Sequence, residues 1–281
     1  MGKKFYGGFG YADDLKLLCP SITGLQKMIT ICEEFGKEYD VSFNAKKTMC
    51  ICYGPANPEN LRNVYLNDVP ITWSKSVKYL GIILTHDLSD SADIDKKKGD
   101  FISAVNKFNA VFKSVSAEVK ASLLQTYCTS WYGCQTWQLG TPIASAMDVQ
   151  WRKAVRRTMG LPVRTRSVLL PGLAGNPTFS HQHQKRVTRL LDVMAASQNE
   201  AVQYIFAKAS QNSSGPLGKN RIYARNLCSA DSARGGHEAD NEIHARSAQI
   251  RELLRVRDGL DRQHVLDFDE VREIFEYVCT Y

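Results

Sequence analysis

The sequence predicts an α+β protein with its strands gathered at the N-terminal end and a helical remainder. Three observations lead there. Short apolar and β-branched runs, punctuated by turn residues, fill residues 5–85. One amphipathic helical repeat interrupts them. Beyond residue 90 apolar positions recur at helical spacing, with Pro and Gly between the segments.

The elements follow in order. Residues 5–12, Phe-Tyr-Gly-Gly-Phe-Gly-Tyr-Ala, precede Asp13 and Asp14; Leu15, Leu17, Leu18 and Cys19 come next. Two short apolar runs around a tight polar pair predict a β-hairpin with the acids at its bend. Ile22, Leu25, Met28, Ile29, Cys32 and Phe35 then recur at helical spacing. With Thr23 and Gln26 placed as a capping box, a helix is expected over 23–39. The segment from Val41 to Gly54 reads as a turn and a strand, with Met49, Ile51 and Tyr53 on one face. Asn67-Asp68 is a strong hairpin turn between two short strands. Ser76–Leu84 reads as one further strand in which Gly81 marks a close backbone approach. Helices are expected over 92–113, 117–132, 144–160 and 179–209. Loops are expected near 210–220 and 229–241, and one or two charged helices over 242–279.

Composition bounds the function. A chain of 281 residues with 43% hydrophobic content builds a sizeable core, in one large domain or two modest ones. It has no run of 18 apolar residues, so no membrane span is expected. No apolar stretch follows the first lysines, so no signal peptide is expected. The eight cysteines are scattered, several of them inside apolar runs, as in a reduced intracellular protein; nucleus and cytoplasm are not distinguished. The net charge of +7 hides an acidic end, residues 231–281, at −5, against +12 for the rest. A basic body suits a polyanion partner, and it equally serves solubility.

Two features carry chemistry. Adjacent carboxylates at a bend present hard oxygen donors to divalent cations, although Asp-Asp also simply makes turns. Arg152, Lys153, Arg156 and Arg157 recur at i, i+1, i+4 and i+5, which makes one basic stripe along a helix. It is either a phosphate-tracking face or a solvated one. Arg164 and Arg166 extend the charge past Pro162. Trp131, Trp137 and Trp151 are expected in the core rather than against bases.

Tyr11-Ala12-Asp13-Asp14 resembles the Tyr-x-Asp-Asp metal-binding hairpin of reverse transcriptases. Downstream, Asn44-Ala45-Lys46-Lys47-Thr48 resembles an Asn-x-x-Lys-Thr segment of the same palm domain, and Tyr79-Leu80-Gly81 resembles the primer-grip strand. Residues 123–139, Leu-Leu-Gln-Thr-Tyr-Cys-Thr-Ser-Trp-Tyr-Gly-Cys-Gln-Thr-Trp-Gln-Leu, resemble the thumb region of non-LTR (LINE-type) retrotransposon polymerases. The matches are collinear to about residue 175. The resemblance implies a partial palm over 1–88, of antiparallel strands plus a helix, an all-α thumb over 89–175, and a helical C-terminal extension over 176–281. It implies RNA-directed DNA synthesis on an RNA template and DNA primer with two Mg²⁺ ions. Asp13 would be the direct metal ligand and Asp14 its supporting neighbour. Lys47 would protonate leaving pyrophosphate, and Tyr11, Tyr79, Leu80 and Gly81 would lie along the primer.

The family also uses an Asp from an upstream palm strand, and fingers residues that grip the nucleotide. Only ten residues precede Tyr11, so the Mg²⁺ site is expected to be incomplete and the chain inactive alone. Its first strand would stand at an open edge, which invites self-association. The alternatives are a non-catalytic nucleic-acid-binding module and a decayed retroelement reading frame.

Overall fold

The structure is a computed structural model that describes residues 7–54 and 60–233. Phe5, Tyr6 and residues 234–281, with the charged helices expected there, lie outside the described residues. The fold class is α+β. The chain divides into two units, the first ending at Ala92 and the second beginning at Asp93.

In the first unit β1 (Gly8–Tyr11) and β2 (Asp14–Leu17) form an antiparallel hairpin, with Tyr11 opposite Asp14 and Gly8 opposite Leu17. Helix α1 (Ile22–Glu38) follows. The expected capping box does not form. Ser21 is the cap, its Oγ accepting from Gly24 N at 3.1 Å. Gln26 is drawn to the sheet instead. Its Nε2 donates to Tyr65 O at 2.9 Å, and Tyr65 N donates to its Oε1 at 2.8 Å. Gly36 is buried where the helix meets the returning chain; a Cβ there would stand 2.5 Å from Val41 O.

The strand expected after Lys47 is short, β3 (Met49–Cys50), and Ile51 and Tyr53 fall outside it. Strands β4 (Val64–Leu66) and β5 (Val69–Trp73) turn at Asn67-Asp68, where both residues take left-handed φ, 50° and 60°. That geometry matches the right-handed twist of the flanking strands. The sheet order is β3-β5-β4; β5 runs antiparallel to β4 and parallel to β3. Ile29, Cys50, Val64, Leu66 and Ile71 form the core between α1 and this sheet, and Leu17 packs against it.

The single strand expected over Ser76–Leu84 is two. Strands β6 (Ser76–Tyr79) and β7 (Ile82–Thr85) pair antiparallel, and the chain reverses at Leu80-Gly81 with φ of 45° and 78°. Gly81 therefore serves a turn rather than a bulge. Leu80, in a conformation that costs a side-chain-bearing residue, concealed it.

The second unit is helical: α2 (Ser91–Val111), α3 (Ala117–Cys128), α4 (Pro142–Met159), α5 (Leu170–Ala174), α6 (Phe179–Ala195), α7 (Glu200–Gln211) and α8 (Pro216–Ala233). Trp131, Trp137 and Trp151 are each 1% exposed and share one core with Phe101, Leu124, Met147 and Phe179. Trp137 Nε1 donates to Asp93 Oδ2 at 2.8 Å, and Lys97 neutralises that buried acid at 3.2 Å. Packing continues past residue 175. Asn176 Nδ2 donates to Ala121 O at 3.0 Å, and Ser180 N donates to Asp148 Oδ1 at 3.0 Å.

The helix expected over 179–209 breaks between Ala195 and Glu200, where Asn199 Oδ1 caps α7 by accepting from Ala201 N at 2.9 Å. Most of the expected loop at 210–220 is helix, since α8 starts at Pro216; residues 229–233 of the next expected loop also belong to α8. Asn220 explains why. Although Ser, Asn and Gly surround it, it is 3% exposed, accepting from Leu139 N at 2.7 Å and donating to Trp137 O at 2.9 Å. Tertiary burial overrides a loop-like composition here.

Candidate functional site

The Asp13–Asp14 hairpin is built from alternation. Facing residues on paired strands share a side, so Phe9, Tyr11, Asp14 and Lys16 occupy one face, and Gly8, Gly10, Leu15 and Leu17 the other. The glycine–leucine face supplies Leu17 to the core. The other face carries the polar and aromatic groups. Asp13 stands in the two-residue turn beside Ala12, whose φ of 51° is left-handed. Both carboxylates are exposed, as is Tyr11 at 64%.

The second hairpin reaches the first. Lys16 Nζ sits 4.6 Å from the centroid of the Tyr79 ring. Burial of the Lys16 side chain holds its pKa below the ordinary lysine value. The Tyr79-Leu80-Gly81 tip and the strand bearing Asp14 are thus joined through a side chain. Sequence reasoning missed Lys16; the available signal was its i+2 spacing from Asp14, which puts the two on one strand face.

Lys47 lies in a turn nucleated by Asn44, whose Oδ1 accepts from Lys46 N at 3.0 Å and Lys47 N at 3.2 Å. Its side chain is exposed, and among the described residues it makes no hydrogen bond to Asp13 or Asp14. Lys16 thus ties the strand bearing Asp14 to Tyr79, whereas no such link ties Lys47 to the carboxylates.

The stripe on α4 is partly structural. Arg156 donates through Nη2 to Thr165 O at 2.7 Å and Ser167 Oγ at 3.0 Å, fastening the segment after Pro162. Burial, with Arg152 nearby, lowers its pKa. Arg157 Nη1 donates to Asn106 Oδ1 at 2.6 Å, and Arg152 Nε to Asp148 O at 3.2 Å. Lys153 and Arg157 are the exposed members. Elsewhere in this unit Leu139, Phe179, Ser180, His183 and Tyr223 line a cavity of about 50 Å³, room for water rather than for a nucleotide.

As to metal, the donor set is two adjacent, exposed carboxylates at a hairpin tip. Among the described residues no group of three His, Cys, Asp or Glu accompanies them or stands elsewhere. This fits Mg²⁺, which is commonly held by one or two carboxylates while substrate phosphates and water complete its shell. It does not make an all-protein cage. None of the described helices is long and apolar enough to cross a membrane.

Residues 8–84 match the family described as reverse transcriptase (RNA-dependent DNA polymerase). That match covers the β1–β2 hairpin and the β6–β7 hairpin up to Leu84. No curated protein and no solved structure matches the chain.

Proposed function

We propose that this chain carries the primer-terminus part of a retrotransposon reverse transcriptase of non-LTR type. The observation that carries the reading is the exposed Asp13–Asp14 pair at a hairpin bend, inside the segment that matches that family. Asp13 is the direct metal ligand and Asp14 its support. Mg²⁺ bound there would offset charge on the attacking and leaving oxygens of nucleotidyl transfer. Tyr11 and the Tyr79-Leu80-Gly81 tip flank the primer end, and the turn at Gly81, with no Cβ, would let a sugar-phosphate chain come near the backbone. Lys47 is the candidate proton donor to pyrophosphate. The partners are an RNA template and a DNA primer.

Among the described residues no third acid joins the two carboxylates, which supports the further reading that the chain does not complete synthesis alone. Primer extension on an RNA template with Mg²⁺ tests this: no extension is expected, and processive synthesis by the chain alone would overturn it. Mn²⁺ binding, followed by electron paramagnetic resonance, tests the site separately. Binding is expected, and Asp13→Asn is expected to weaken it about tenfold or more, since it removes a charged donor. Unchanged binding in Asp13→Asn sinks the metal reading.

A second reading, a non-catalytic nucleic-acid-binding module, is favoured by the exposed Lys153 and Arg157 on α4. Lys153→Ala should reduce the salt slope of primer–template binding by roughly one. It should leave stability within about 0.5 kcal/mol of the parent. An unchanged slope removes α4 from the interface.

A further inference from the structure

Hairpins β1–β2 and β6–β7 are separate two-stranded sheets, and among the described residues no strand of one pairs with a strand of the other. A lone two-stranded hairpin is marginal in water. Side-chain contacts between the two therefore help set where the Leu80-Gly81 tip stands relative to the acids. One side chain does so visibly: Lys16 crosses from β2 to the Tyr79 ring, its ammonium 4.6 Å from the ring centroid.

We propose that Lys16 is a positioning residue, its ammonium on the Tyr79 ring fixing the primer-grip tip against the carboxylate-bearing hairpin. The inference rests on the polymerase reading above. Its force comes from where both partners stand. Lys16 is two positions from Asp14 on the same strand face, so a shift of one side chain is felt beside the acids. Tyr79 is the last strand residue before the turn and pairs with Ile82 across it, so anchoring its ring anchors the tip. A buried aliphatic stem with a cation over an aromatic face is a directional contact. An apolar residue at position 16 would keep the packing and lose that direction.

Two measurements on the full-length protein test it. In NMR spectra, the ε-methylene of Lys16 should show a ring-current upfield shift. The shift should persist in Tyr79→Phe, which keeps the ring, and vanish in Tyr79→Leu. Absence of the shift in the parent protein overturns the proposal. Next, Fe²⁺ with ascorbate and peroxide, loaded in place of Mg²⁺, should cut the backbone at residues 12–15 and again at 79–82. Lys16→Met should lose the second set of cuts by about tenfold while keeping the first. Lys16→Arg should restore both. Cuts at 79–82 that survive Lys16→Met overturn the positioning role. Failure of cutting at both places in the parent protein, with the NMR shift present, counts against the metal reading and not against the contact.

Discussion

His183 is the side chain whose environment most constrains solution behaviour. It is 2% exposed, and burial holds its imidazole near 4 although backbone hydrogen bonds to Trp137 and Cys134 favour the charged form. The folded value lies below the unfolded 6.5, so the stabilisation is complete above about pH 6.5 and is lost as pH falls through 4. Urea midpoints are expected to report a loss on the order of 3 kcal/mol across that window. A His183→Gln variant, which cannot titrate, should flatten the slope. Burial likewise pushes the thiols of Cys50, Cys128 and Cys134 up to about 11, so iodoacetamide at neutral pH should label them only on unfolding. At the hairpin bend, Ala12 holds a left-handed φ of 51°. Ala12→Gly should slow hydrogen exchange in β2, a gain of about 0.5–1 kcal/mol from relieved strain. The acids themselves were plain in the sequence, because Asp-Asp between apolar runs is a local pattern. Lys16 over Tyr79 was not, because a contact across 63 positions of chain leaves no periodic trace.

Among the helices and strands, legibility followed the same division. The Asn67-Asp68 hairpin was readable because its turn residues tolerate left-handed backbone. The Leu80-Gly81 hairpin was not, since leucine does not advertise such a turn. Helix α1 was readable from its apolar stripe, and its start was missed by one residue: Ser21 rather than Thr23 caps it, leaving Gln26 for other use. That use has a measurable value. Gln26→Leu removes a two-way amide contact to Tyr65 and leaves that rim of the edge strand to water. Because water can reach Tyr65, the expected cost is about 0.5–1.5 kcal/mol, read as a lower denaturation midpoint. The break between α6 and α7 was equally local, at an Asn cap, and was passed over because the apolar spacing continues on both sides.

The chain as a body has a basic majority at +12 and an acidic end at −5. Salt-dependent binding to nucleic acid is expected from the former. Size-exclusion chromatography checks the open strands: β1 and β2 pair only with each other among the described residues, so concentration-dependent association is expected, and a single monomer peak across concentrations would count against it. The overall class was legible because helix and strand periods separate near residue 90. The placement of α8 was not. It depends on Asn220 reaching residues 137 and 139, information held by packing rather than by the segment.

The amide of Gln26 occupies the hydrogen-bonding rim of β4 as a visiting backbone would, with the nearby carboxylate of Glu33 accepting from Asn67 N. That rim is latched. Among the described residues no side-chain amide or carboxylate latches either flank of the β1–β2 hairpin in this way. An incoming strand, whether from another copy or another polypeptide, is therefore expected to find the flank of β4 already taken and a flank beside the paired acids open, so that an added strand would lie along the hairpin that carries them.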